Sequence, residues 1–188
     1  MQSNILGRTG LRVSRLGFGT SEIGLNLEFK DKKNISDIFN FGLDNGINFI
    51  DTASSYGIGE QIIGECISNR RSEFILASKT GHSVLGKDWT YDNIIDSVNK
   101  SLRLLKTDYI DIMQLHGTEI SSLEKGDVVR ALQDSKAEGK IRFLGYSGSN
   151  EDVSWAITSG LFETIQTSFN IVDQYAKKKF FDEIKKRN

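Results

Sequence analysis

Proline is absent from this chain, although ordinary usage of about 5% would supply roughly nine. We read that absence as compositional bias. Cysteine occurs once, at Cys66, which excludes an intrachain disulfide and a cysteine-rich metal cluster. The two histidines, His82 and His116, stand in no His/Cys/carboxylate spacing that makes a metal site, so none is expected. No apolar run approaches the roughly 20 residues that span a bilayer. The first ten residues are polar and glycine-punctuated, without the apolar core of a signal peptide. Neither sign of charge dominates: 24 Lys and Arg stand against 25 Asp and Glu. Nothing therefore draws the chain to nucleic acid or an anionic membrane. With 38% hydrophobic and 26% charged residues, it reads as one globular, cytoplasmic domain over residues 1–188.

Short β-branched runs alternate with amphipathic stretches. Residues 3–6 and 11–14 flank a turn with Gly7 and Gly10 and predict a hairpin. Strands are expected at 16–19, 47–51, 74–79, 110–115, 141–147 and 164–168. Helices are expected at 34–44, 59–68, from an N-cap at Thr90, at 127–138, from a cap at Asn150 to Gly160, and at 175–187. In the first of these, Ile35, Ile38, Phe39, Gly42 and Leu43 fall on one helical face.

Regular strand–helix alternation implies parallel strands with right-handed crossovers. An open doubly wound sheet and a (β/α)8 barrel then compete. A dinucleotide fingerprint needs G-x-G-x-x-G after the first strand, but Gly17-Phe18-Gly19 is followed by Gly24, the wrong spacing. The strand ends favour the barrel. Asp51, Lys79, His116, Ser147 and Gln166 lie at the C-terminal ends of five successive strands, and that rim is where barrel active sites are built.

Asp51 and Lys79 on neighbouring strands are expected to form an ion pair. Tyr56 follows five residues after Asp51 in the loop Ser54-Ser55-Tyr56-Gly57. A free tyrosine titrates near pH ~10; a neighbouring Lys79 ammonium would favour the phenolate and fit Tyr56 for general acid–base work. His116 is placed to orient a carbonyl. No side chain supplies hydride, so carbonyl reduction on this ring requires a nicotinamide.

These residues resemble the aldo-keto reductases. Leu6-Gly7-Arg8-Thr9-Gly10-Leu11 is similar to that family's opening hairpin, and Leu16-Gly17-Phe18-Gly19-Thr20 to its first barrel strand. The stretch Gly46-Ile47-Asn48-Phe49-Ile50-Asp51-Thr52-Ala53-Ser54-Ser55-Tyr56-Gly57 resembles its best signature. Ser78-Lys79-Thr80, Gln114-Leu115-His116, Gly145-Tyr146-Ser147 and Gln166-Thr167-Ser168-Phe169-Asn170 follow in register. The resemblance implies a catalytic tetrad of Asp51, Tyr56, Lys79 and His116. It also implies cofactor contacts from Thr20, Asp51, Ser147 and Gln166, and a small carbonyl or sugar substrate. NADP(H) is favoured on family grounds, with NAD(H) as the alternative.

Three positions depart from the family's habit: Ser54 and Thr118 stand where proline is common, and Gly148 where asparagine is frequent. A complete barrel has eight strands and about 250 residues. The expectation is therefore a partial barrel of six units, with two open edges and weak or no turnover. Two other readings stay open. One is a Schiff-base lyase using Lys79; the other is a non-catalytic remnant or regulatory module. His82, Cys66, Asp108, Asp111 and the basic residues 177–187 read as structural or solvated, and Phe169 as core.

Overall fold

The structure is a computed structural model and describes residues 1–83, 86–87 and 89–187; the side chains of residues 82–88 and of Asn150 lie outside that description, and with them the reading of His82. The strands are β1 (Ser3–Ile5), β2 (Arg12–Ser14), β3 (Phe18–Gly19), β4 (Phe49–Asp51), β5 (Ile75–Thr80), β6 (His82–Ser83), β7 (Gly86–Lys87), β8 (Ile110–His116), β9 (Ile141–Ser147) and β10 (Thr164–Gln166). The helices are α1 (Ser21–Asn26), α2 (Lys32–Asp44), α3 (Gly59–Ile67), α4 (Tyr91–Leu105), α5 (Ile120–Lys125), α6 (Asp127–Ala137), α7 (Asn150–Ser159), α8 (Tyr175–Lys179) and α9 (Phe181–Arg187).

Six parallel strands form the central sheet in the order β10-β9-β8-β5-β4-β3. β3 and β10 are its edges. The sheet is strongly curled. β10 and β4 are four strand steps apart, which is roughly 19 Å in a flat sheet. Yet the Gln166 Nε2 of β10 donates to the Asp51 Oδ1 of β4 at 3.3 Å. The sheet is thus a trough, a partial (β/α)8 barrel as the strand–helix alternation predicts.

Period-two alternation gives the trough two faces. Outward side chains such as Ile50, Leu76, Met113, Leu115, Leu144 and Tyr146 join the helices in one continuous core. There α4 buries Ile94, Val98 and Leu105, and its start is capped by the Thr90 hydroxyl, which accepts the Asn93 N–H. Burial of each such side chain is worth roughly 1.5–3 kcal/mol. Inward side chains near the bottom, Phe49, Ile75, Ala77, Ile112 and Phe143, meet Leu11 and Val13 of the β1–β2 hairpin. The hairpin therefore plugs the trough. Asn48 fastens it: the Ser14 N–H donates to its Oδ1 at 2.7 Å, and its Nδ2 donates to the Arg12 carbonyl at 3.0 Å.

Several elements differ from expectation. α1 and α5 are helices too short to show a periodic stripe. The C-terminal helix is broken at Phe180, where φ is −116°. Ser149, in extended conformation, precedes α7, and Asn150 is its first helical residue rather than its cap. Phe169 is half exposed against Phe181, not in the core. Asp111 is almost fully buried and pairs with Arg71 at 2.6 Å and Arg142 at 2.7 Å, tying β8 to its neighbours below the trough.

Candidate active site

The upper half of the trough is polar because the same alternation carries Asp51, Lys79, His116, Ser147 and Gln166 inward at the strand ends. Register sets them side by side: His116 is level with Ser147, and Ser147 with Gln166. Lys79 is 2% exposed. Its Nζ donates to Asp51 Oδ2 at 2.6 Å and to the Thr52 carbonyl at 2.8 Å. A buried ammonium persists only when so paired.

Tyr56 reaches this group from the loop between β4 and α3. Lys79 Nζ lies 4.9 Å from the centre of its ring. The His116 ring meets it edge-on, with centroids 5.9 Å apart. The loop is held by backbone contact with α1: the Ile58 N–H donates to the Gly24 carbonyl at 3.1 Å. Gly24 has to be glycine, since a Cβ there would lie 1.9 Å from the Tyr56 carbonyl oxygen. Tyr56, Lys79, His116, Ser147 and Gln166 all line one cavity of about 610 Å³.

Thr20 lies against the Asp51 backbone. It is fully buried, and its N–H and hydroxyl both donate to the Asp51 carbonyl, at 3.0 and 3.1 Å. It steadies the Asp51 backbone and is not among the cavity's lining residues. Gly148 has a steric reason. A Cβ there would come within 2.7 Å of the Tyr146 ring, whose hydroxyl donates to the Thr118 carbonyl at 2.8 Å. Burial pushes the Tyr146 phenol up, which suits a fixed neutral donor.

Sequence reasoning passed over Gln114. It lies level with Lys79 and two residues before His116, hence on the inner face. It is buried, and its Nε2 contacts Asp51 Oδ1 at 3.5 Å and Gln166 Oε1 at 3.2 Å. The available signal was its even spacing from His116.

A curled parallel sheet with convergent polar groups at its C-terminal rim has the layout of a β/α-barrel enzyme. Residues 15–188 match the aldo/keto reductase family, and the chain belongs to it. It is 35% identical over 159 residues to L-galactose dehydrogenase of Arabidopsis thaliana, covering 79% of this chain and 49% of that protein. It is 33% identical over 186 residues to the aldo-keto reductase YhdN of Bacillus subtilis, covering 93% and 55%. The holo form of an aldo-keto reductase from Bacillus halodurans superposes with a TM-score of 0.89 at 33% identity, covering 100% of this chain and 63% of that one. The chain spans about half the length of the curated relatives it matches. Among the described residues, no helix is long and apolar enough to cross a membrane.

Proposed function

We propose that this chain carries the catalytic face of a nicotinamide-dependent carbonyl reductase, with Tyr56 as proton donor to a small aldehyde, ketone or sugar. The carrying observation is the Lys79 ammonium, paired to Asp51 at 2.6 Å and lying 4.9 Å from the Tyr56 ring centre.

The donor set fits a nicotinamide amide. The Ser147 hydroxyl and the Gln166 carboxamide are neighbours on β9 and β10, and both line the cavity. Together they offer a Gln166 N–H and the Ser147 hydroxyl, which can both donate and accept, to a planar amide. When bound, the reduced nicotinamide supplies hydride to the carbonyl carbon. Tyr56 then gives its phenolic proton to the carbonyl oxygen. Negative charge developing on the phenol is stabilised by the adjacent ammonium of Lys79, which Asp51 and the Thr52 carbonyl hold in place. The His116 imidazole, edge-on to Tyr56, orients the carbonyl. NADP(H) and NAD(H) both satisfy this chemistry. The family resemblance favours the first.

The Schiff-base alternative would take Lys79 out of its buried ion pair and leave the Asp51 charge uncompensated, a costly step. Borohydride with a small aldehyde is expected to leave Lys79 unmodified; a trapped adduct there would favour the lyase. Fluorescence titration with NADPH and NADH tests the coenzyme site. Gln166→Ala and Ser147→Ala are expected to weaken binding, and binding that ignores both would argue against the assignment.

A further inference from the structure

Gln114 has no part in the chemistry just described, yet it touches two of its principal residues. An ionised carboxylate such as that of Asp51 only accepts hydrogen bonds. Its Oδ2 is taken by Lys79, so any group facing Oδ1 must present a donor. Gln114 therefore turns Nε2, not its oxygen, toward Oδ1, at 3.5 Å. The second N–H of that nitrogen is directed to Gln166 Oε1 at 3.2 Å. Gln166 Nε2 faces Asp51 Oδ1 directly at 3.3 Å, so Asp51 fixes one end of its amide and Gln114 the other. One N–H of Gln166 then remains for a ligand in the cavity it lines.

We propose that Gln114 is a positioning residue that anchors the Gln166 oxygen while Asp51 takes one Gln166 N–H, so that Gln166 is held to offer the cavity its other N–H rather than an oxygen. The ligand group selected is a carbonyl oxygen acceptor. Its identification as a carboxamide oxygen rests on the reductase reading; the anchoring of Gln166 itself does not.

The site is built for this contact. Gln114 is level with Gly145 on β9, and a Cβ at position 145 would lie 2.7 Å from Gln114 Cγ and 2.5 Å from Thr164 Oγ1. Glycine there leaves the space through which Gln114 reaches Gln166. A glutamine that merely filled volume would need neither that space nor either hydrogen bond, and methionine, of similar length, would replace it without consequence for Gln166.

The test is side-chain amide exchange in the coenzyme-free chain labelled with 15N-glutamine. The Gln166 signal is assigned by its loss in Gln166→Met. The Gln166 N–H that donates to Asp51 is expected to exchange slowly in the unmutated chain. It is expected to exchange at least about tenfold faster in Gln114→Met and in Gly145→Ala, because the lost bond, which Gln166 Oε1 accepts, is one of the two that hold the amide in place. Equal protection in a folded Gln114→Met, or free exchange in the unmutated chain, overturns the proposal. Should Gln114→Met fail to fold, Gly145→Ala and the unmutated chain still decide. Coenzyme takes no part in this measurement, and turnover tests the reductase reading separately.

Discussion

Glu60 follows Tyr56 by four residues and is 2% exposed at the start of α3. The Ser78 hydroxyl donates to it at 2.6 Å, and Ser78 is the neighbour of Lys79 on β5. Burial pushes the Glu60 carboxyl above its ordinary 4.5, opposed by Ser78, Ser101 and Lys100. Between 4.5 and that raised value the folded chain holds a proton that the unfolded chain has lost. Stability from this residue is therefore full below pH 4.5 and is lost as pH rises through the window. Glu60→Gln keeps an acceptor for Ser78 and removes the charge. It is expected to raise the melting midpoint at pH 7 by at least about 2 °C and to leave it little changed at pH 4. Calorimetry at the two pH values checks this, and equal shifts at both would contradict it. The charged residues of the site were legible in the sequence because each ends a strand. Gln114 and Glu60 were not, because a neutral amide inside a strand and a glutamate inside a helix look ordinary until their partners, 52 and 18 residues away, are placed beside them.

At the scale of elements, α1 matters most to the site. In the sequence Gly24 reads only as a glycine at the wrong spacing for a dinucleotide loop. In the fold it lets a helix backbone lie against the Tyr56 loop. Gly24→Ala is expected to push Tyr56 away from Lys79 and cost about 1–3 kcal/mol of stability, the range for overpacking. Chemical denaturation checks it, and unchanged stability would show that the loop gives way freely. Five of the six strands of the central sheet were legible from their β-branched and apolar runs, and α2, α3 and α4 from their apolar stripes. α1 and α5 are each six residues long, under two turns, and no stripe can form over that length. The break at Phe180 was hidden because residues 175–187 keep a helical pattern across it. The aromatic rings of Tyr175 and Phe180 pack 5.5 Å apart there.

For the whole molecule, the curl of the sheet unites the site. It sets Gln166 of one edge strand against Asp51 near the other edge, so Asp51, Lys79, Gln114 and Gln166 share one hydrogen-bond network. A hairpin below and a helical layer outside fix that curl. Salt bridges join the outer layer as well: Glu65 of α3 takes Lys32 of α2 and Lys106 after α4, which hold its carboxyl down to about 2. A ligand that binds only the folded chain stabilises it by mass action. NADPH or NADH is thus expected to raise the melting midpoint, and less so in Gln166→Ala; a midpoint indifferent to both coenzymes would count against the site.

The most direct test of the central claim is coenzyme oxidation with a panel of small aldehydes, run on the unmutated chain and on Tyr56→Phe. Removal of one phenolic oxygen is predicted to lower the rate by about 10²–10⁴-fold, the usual worth of a general acid, with coenzyme affinity unchanged. Equal rates above background in the two proteins would contradict the assignment of Tyr56 and the reaction built on it.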